Sequence, residues 1–381
     1  MNQRNNEYVV IIGSYTNACS IITGLKEIAY PHEILSIDPT VNKARCLVEI
    51  VHPDIPIIKR KVTELDEIVD IINEHIEFGI KKIILMTSEE FINPVQNAIL
   101  NGRLNNTIAY TGSKMDNELI FDRFRFYRLI EQLGFTNVPK TISSDKNPFA
   151  TFGNEFIVRV NKSWEGNCKL PRLQIVHSRK EKEEVENKYI KMGLTPNMWS
   201  YQEVLSTEDT HNVSVCGWYD EEFHQFVVTR KIMQHPPKTG NGDVVEIYHD
   251  APKSLITQTE TILNALQYTG AFEMEYVLDT RNDEYKIIEL NPRFWMQHGL
   301  IEKVTNNILI KRAIGQSELE DQPMDQIDHY YWVNGTRAVY SLVKCNFVIL
   351  KYIKKGICVP SINQAIRWGV FYKNYVDESN Q

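Results

Sequence analysis

The sequence predicts a layer of parallel strands and helices followed by an α+β region built on antiparallel strands. Three observations predict it. Short β-branched runs alternate with helix-period stretches over residues 1 to about 112. From Glu155 the pattern changes to strands broken by turns. Late in the chain two strand-like runs, 271–278 and 285–290, flank a polar turn and read as an acidic hairpin.

Residues 8–12 (YVVII) form a short β-branched run ending at Gly13, the signature of a buried parallel strand. Residues 19–29 are an amphipathic helix and 33–37 a second strand. Over 65–78, Leu65, Ile68, Val69, Ile72 and Ile76 fall on one helical face. Residues 82–86 are another strand, and 108–110 a short one before Thr111-Gly112. The helix over 122–133 carries Phe126, Leu129, Ile130 and Leu133 and ends at the C-capping Gly134. A strand at 156–160 leads into an irregular loop over 161–172, then a strand at 173–176 and a charged helix at 178–191. Strands are expected at 199–205, 212–218 and 222–232, a Pro/Gly-rich loop at 234–243, and a helix at 257–266. The last stretch mixes aromatic residues (Tyr330, Tyr331, Trp332, Trp368, Phe371, Tyr372) with basic ones.

The 381 residues suffice for two or three domains, and 43% apolar content excludes disorder and disulfide scaffolds. A formal net charge of −7 argues against broad nucleic-acid binding while leaving room for a local phosphate pocket. The six cysteines contain no Cys-x-x-Cys pair and read as reduced thiols of a cytoplasmic protein. Residues 1–7 are polar and give no signal peptide. The apolar stretch 347–359 is broken by Lys351, Lys354 and Lys355, so no membrane span is expected. The turn after the first strand lacks G-x-G-x-x-G, and no P-loop motif occurs.

The hairpin carries the chemistry. Glu275 and Glu289 are 14 residues apart, and a reverse turn brings such positions side by side. Asn291 lies two residues beyond Glu289 and shares its face, as Glu273 shares that of Glu275. Facing carboxylates repel unless something neutralises them. A hard divalent cation with oxygen ligands does so, and magnesium commonly combines one or two carboxylates with substrate phosphates. Arg293 can stabilise developing anionic charge beside such a centre. Acids embedded between apolar Ile287-Ile288 and Phe294-Trp295 are seldom idle.

The run Glu275…Glu289-Leu290-Asn291-Pro292-Arg293-Phe294-Trp295 resembles the metal-binding segment of the ATP-grasp superfamily, in its carboxylate–amine ligase and carbamoyl-phosphate-synthetase-like branches. The order of elements over roughly 1–315 is similar. The resemblance implies a Rossmann-like pre-ATP-grasp domain (1–115), then a small (116–200) and a metal-bearing (201–315) ATP-grasp subdomain. Residues 316–381 are left without a role. It further implies that Glu275, Glu289 and Asn291 hold Mg²⁺, with Mn²⁺ as a substitute, against the phosphates of ATP. Arg293 would serve the acyl-phosphate and tetrahedral species. Gln202, Glu203, Val204 and Leu205 resemble the linker that holds adenine. Lys231, after Arg230, matches a phosphate-contacting base, and Gly240-Asn241-Gly242 a mobile loop near the substrate.

The chain departs from that pattern in places. Arg159 stands where the family has its first ATP lysine. The phosphate loop, 163–169, has one glycine, with Lys169 as its expected phosphate contact and Lys162 in reserve. Asn212 stands where an acid often meets ribose. The expected activity is an ATP-dependent ligase joining a small-molecule carboxylate to an amine or thiol through an acyl phosphate. Expected partners are those substrates and a carrier protein in a homo-oligomer, with no nucleic acid. A kinase and a non-catalytic nucleotide-binding protein are the alternatives. His298 is expected to be structural.

Overall fold

The computed structural model describes residues 7–40, 46–165, 168–171, 173–205, 208–235, 240–343 and 348–368. Gly166 and Asn167 of the expected phosphate loop, residues 236–239 of the Pro/Gly-rich stretch, and Phe371 and Tyr372 lie outside them.

The β-branched runs form the first sheet. Strands β1 (Tyr8–Ile12), β2 (Glu33–Asp38), β3 (Ile57–Lys59), β4 (Lys82–Met86) and β5 (Thr107–Ile108) lie in the order β3-β2-β1-β4-β5. All its pairs are parallel. Val9, Val10, Ile11 and Ile12 are fully buried, as a strand covered on both faces requires. Each such side chain contributes about 1.5–3 kcal/mol on leaving water. The expected alternation of strand and helix is observed here. β3 escaped notice because it has three residues and only partial burial.

A second, antiparallel sheet holds β6 (Thr141–Ser143), β7 (Phe156–Val160), β10 (Gln174–Val176) and β11 (Trp199–Gln202), in the order β10-β7-β11-β6. β11 stops at Gln202, short of the expected Leu205. The stretch expected to be irregular contains a two-stranded ladder, β8 (Trp164–Glu165) with β9 (Cys168–Lys169).

The third sheet bears the acidic hairpin. Its seven strands are β12 (Asn212–Tyr219), β13 (His224–His235), β14 (Asn241–Ile247), β15 (Gly270–Asp279), β16 (Glu284–Asn291), β17 (Tyr331–Asn334) and β18 (Gly356–Val359). They run in the order β16-β15-β12-β13-β14-β17-β18. The loop expected over 234–243 is therefore corrected at both ends: β13 extends to His235 and β14 starts at Asn241. Ladder bonds and the burial of Val244, Val245 and Ile247 outweigh the local Gly content. Strands β17 and β18, unread in the sequence, extend this sheet beyond β14.

The helix Arg123–Gln132 is capped by Asp122, which accepts from the Phe124 and Arg125 N–H groups. It buries Phe126, Tyr127 and Ile130 with Val213, Met274 and Ile287 of the third sheet. A larger core joins the first and third sheets through Ile11, Ile21, Trp218, Trp295 and Trp332. The seam is also hydrogen-bonded. Phe294 N–H donates to the Met86 carbonyl at 3.1 Å, and Asn17 Nδ2 to the Thr87 and Phe294 carbonyls at 3.0 and 3.2 Å. Gly270, at φ +120°, opens β15 where an added Cβ would sit 2.1 Å from the Tyr110 carbonyl oxygen, so only glycine fits. The first sheet is thus set against the root of the hairpin. Among the described residues, no helix is long and apolar enough to cross a membrane.

Candidate functional site

The hairpin register places Glu275 directly opposite Glu289, and Glu273 opposite Asn291. Between Glu275 and Tyr276 the register shifts, leaving Ile288 as an extra residue on β16. Such a bulge re-aims the neighbouring side chain and recurs beside active sites. Asn291 Nδ2 donates to Glu273 Oε2 and to Glu275 Oε1, both at 3.1 Å. Its amide oxygen accepts from Arg293 Nη2 at 3.1 Å. Three carboxylates and an amide from two adjacent strands therefore share one patch.

Cations surround the patch. Arg123 bonds Glu289 Oε2 through Nε at 2.8 Å and also through Nη2. Arg159 Nη2 lies 3.8 Å from the same oxygen, and Lys231 Nζ donates to Glu275 Oε2 at 3.0 Å. Burial alone would raise the Glu289 carboxyl, but the Arg123 and Arg159 guanidiniums outweigh it and hold the group down at about 2. Glu273 goes the other way: burial, then the charge of Glu275, push it up to about 8. Burial works against the Lys231 ammonium, yet Glu275 and Glu273 raise it. Glu289 is a committed anion and Glu273 a reluctant one.

The remaining expected residues divide. Gln202 is buried beneath the patch; its Oε1 accepts from Arg159 at 3.1 Å, and its Nε2 donates to Tyr127 Oη at 3.2 Å. Tyr127 Oη in turn donates to the Ile288 carbonyl at 2.8 Å. Glu203, Val204 and Leu205 follow the end of β11, with Glu203 tied to Lys140 and Arg281. Lys169 lies on β9 with its ammonium 5.8 Å from the Trp164 ring. Lys162 pairs with Glu118 at 2.5 Å, and Arg230 with Glu246. Asn212 donates to the Glu208 and Asp209 carbonyls at 3.0 and 3.2 Å. Asn241 and Gly242 are in β14, and Gln297 Nε2 donates to the Gly242 carbonyl at 3.1 Å. His298 is fully buried, its Nδ1 2.7 Å from the Trp295 carbonyl, and burial pushes it down to about 4.

Arg123 was not singled out in the sequence, although a signal existed. A cation in the first turn of a helix meets an unfavourable dipole, so an arginine directly after the Asp122 cap gains from an external anion. Here that anion is Glu289. Arg123 Nη2 also donates to Ser163 Oγ at 3.0 Å, which fastens the start of the β8–β9 ladder to the patch.

The donor set is wholly oxygen and includes two committed or paired carboxylates, which fits a hard divalent cation. Among the described residues, no three His, Cys, Asp or Glu side chains already converge on one point. Instead Glu275 and Glu289 are turned onto Lys231 and Arg123.

Comparison with known proteins bears on the same segment. Residues 221–317, which include the whole hairpin and Arg293, match the family described as carbamoyl-phosphate synthase L chain, ATP-binding domain. Over this segment the chain is similar to the ATP-grasp superfamily. A 91-residue stretch, 22% of this chain, is 33% identical to the carbamoyl phosphate synthase large chain of Clostridium acetobutylicum, but spans only 8% of that curated relative. Solved structures share the ATP-grasp architecture over nearly the whole chain. Biotin carboxylase from Campylobacter jejuni, in a complex with β,γ-ATP, superimposes with a TM-score of 0.63 at 14% identity, over 85% of this chain and 74% of that one. N5-carboxyaminoimidazole synthetase from Staphylococcus aureus gives 0.61 at 15% identity, over 90% and 86%. At such identities the likeness establishes the ATP-grasp fold.

Proposed function

We propose that this protein is an ATP-dependent ligase that joins a carboxylate to an amine. The observation that carries the reading is the face-to-face pair Glu275–Glu289, backed by Asn291 and ringed by Arg123, Arg159, Lys231 and Arg293. Four cations exceed what the committed carboxylates need, and the excess suits a polyphosphate.

Glu275, Glu289 and the Asn291 amide oxygen would hold magnesium. The bound ion would neutralise phosphate charge as ADP departs. With nucleotide bound, Lys231 and Arg123 would give up their carboxylate partners for phosphate oxygens. Gln202 to Leu205 would hold adenine where β11 ends. A carboxylate oxygen of the substrate attacks the γ-phosphorus, ADP leaves, and an acyl phosphate forms. The amine nitrogen then attacks the carbonyl carbon, inorganic phosphate leaves, and the amine gives up a proton. Arg293 stabilises the oxyanion of that step. The protein supplies position and charge rather than a covalent nucleophile. In this reading residues 1–115 act as a Rossmann-like pre-ATP-grasp domain, 116–200 and 201–315 clamp the nucleotide, and Tyr331–Asn334 with Gly356–Val359 complete the metal-bearing sheet.

The test is a screen of carboxylic acids paired with amines, read out as ADP release and product mass. One pair should release ADP and give a product of both masses less water, and Glu289→Ala should abolish it. ADP release undiminished in Glu289→Ala would defeat the assignment.

A further inference from the structure

We infer that Arg281, on the turn of the acidic hairpin, is a positioning residue for the nucleotide: it clamps the Glu203 carboxylate and fixes the adenine-holding linker against the metal-bearing strands. The inference rests on the nucleotide reading above and adds a residue to which that reading gives no part.

The linker leaves β11 at Gln202 and meets the hairpin at once. Glu203 N–H donates to the Lys140 carbonyl at 3.0 Å, its Oε1 accepts from the Lys140 N–H at 2.7 Å, and its Oε2 accepts from Arg281 Nη2 at 2.5 Å. The N–H and both carboxylate oxygens of Glu203 are thereby engaged. Arg281 is itself fixed: Nε and Nη2 each lie 2.7 Å from an oxygen of Asp279, whose side chain is only 5% exposed against 58% for Arg281. The buried acid at the end of β15 anchors the guanidinium, and the exposed guanidinium holds the linker.

Two further ties end on the same hairpin. The segment before Lys140 is bound to β16, since Ile287 N–H donates to the Asn137 carbonyl at 2.9 Å and Asn137 Nδ2 to the Tyr285 carbonyl at 2.8 Å. Gln202 reaches the Ile288 carbonyl through Tyr127. Both ends of the nucleotide are thus referred to one ladder: phosphates to Glu275 and Glu289 at its root, adenine to Arg281 at its tip. A half-exposed ion pair contributes little to fold stability. Its effect falls on the linker, which Glu203 opens.

The experiment is calorimetric titration of the full chain with Mg-ATP and Mg-ADP, for wild type, Arg281→Ala, Arg281→Lys, Glu203→Gln and the Glu203→Gln/Arg281→Ala pair. Arg281→Ala is expected to weaken both nucleotides about two- to fivefold, the span of an exposed ion pair, when titrated well below the unfolding midpoint, which the loss of Asp279's partner lowers. Arg281→Lys should recover part of the loss. The double variant should lose no more than the larger single loss. In turnover the loss should appear in KM for ATP and not in kcat. Wild-type affinity in Arg281→Ala, or additive losses in the double variant, would overturn the inference and leave the ligase reading standing. A wild type that binds neither nucleotide would bring down that reading and this inference with it.

Discussion

Lys231 reaches Glu275 across an intervening strand. Ser214 of β12 stands opposite Glu275 on one side and Thr229 on the other, and Lys231 lies two residues beyond Thr229 on the same face. The small serine leaves the path clear, and the ammonium closes on Glu275 Oε2 at 3.0 Å. The side chains are 14% and 21% exposed, so the pair is largely out of water. Removing one partner of such a pair strands the other charge. Lys231→Ala should lower stability by about 3 kcal/mol in urea denaturation. A change under about 0.5 kcal/mol would mean the pair carries no weight.

The same pairing bears on how metal enters. With Glu275 on Lys231 and Glu289 on Arg123, free Mg²⁺ must displace two cations, whereas Mg-ATP brings phosphates that give those cations new partners. Calorimetry should detect no Mg²⁺ binding without nucleotide and clear binding with it. Submillimolar Mg²⁺ binding to the protein alone would contradict this.

Arg123 should matter as much as the residues the sequence exposed. It grips Glu289 through two nitrogens and Ser163 through one. Arg123→Ala should weaken Mg-ATP at least tenfold, about 1.4 kcal/mol. Arg123→Lys should restore little, because an ammonium cannot reproduce the fork. Fluorescence titration with a nucleotide analogue checks both.

Glu302 offers a pH test away from the site. It is 3% exposed, its carboxyl lies beside the Leu309 and Ile310 N–H groups, and burial outweighs them and pushes it up to about 8. Raised above its unfolded value of 4.5, it keeps its proton in the fold. Its cost to stability is therefore absent below pH 4.5, grows as pH rises through the interval to 8, and then levels off. Glu302→Gln should stabilise the protein by about 2–4 kcal/mol at pH 8 and by far less at pH 5, in paired denaturant titrations.

How much of this was legible in the sequence depends on where each signal lives. The hairpin was legible because apolar runs flank a polar turn, but Glu275 faces Glu289 only through the bulge at Ile288, which spacing does not reveal. β4 and β7 were legible as short apolar runs. β14 was obscured because its glycine and asparagine look like a loop until β13 and β17 supply the ladder. β17 and β18 are four residues each and draw their stability from partners far away in the chain. In the site, the acids were found by their apolar setting. Arg123 was not, because its partner lies 166 residues away and only tertiary contact joins them. Lys162 shows the converse, a plausible base that the fold assigns to Glu118.

The two short C-terminal strands have a consequence for any shortened version of the chain. β17 covers the otherwise open flank of β14 through Val244, Val245 and Glu246, and it brings Trp332 into the shared core. Ending the polypeptide ahead of Tyr331 would expose a row of unpaired backbone groups beside an apolar hollow. Such a flank templates self-association. The truncated protein should therefore appear as sedimenting aggregate rather than as a smaller, inactive monomer.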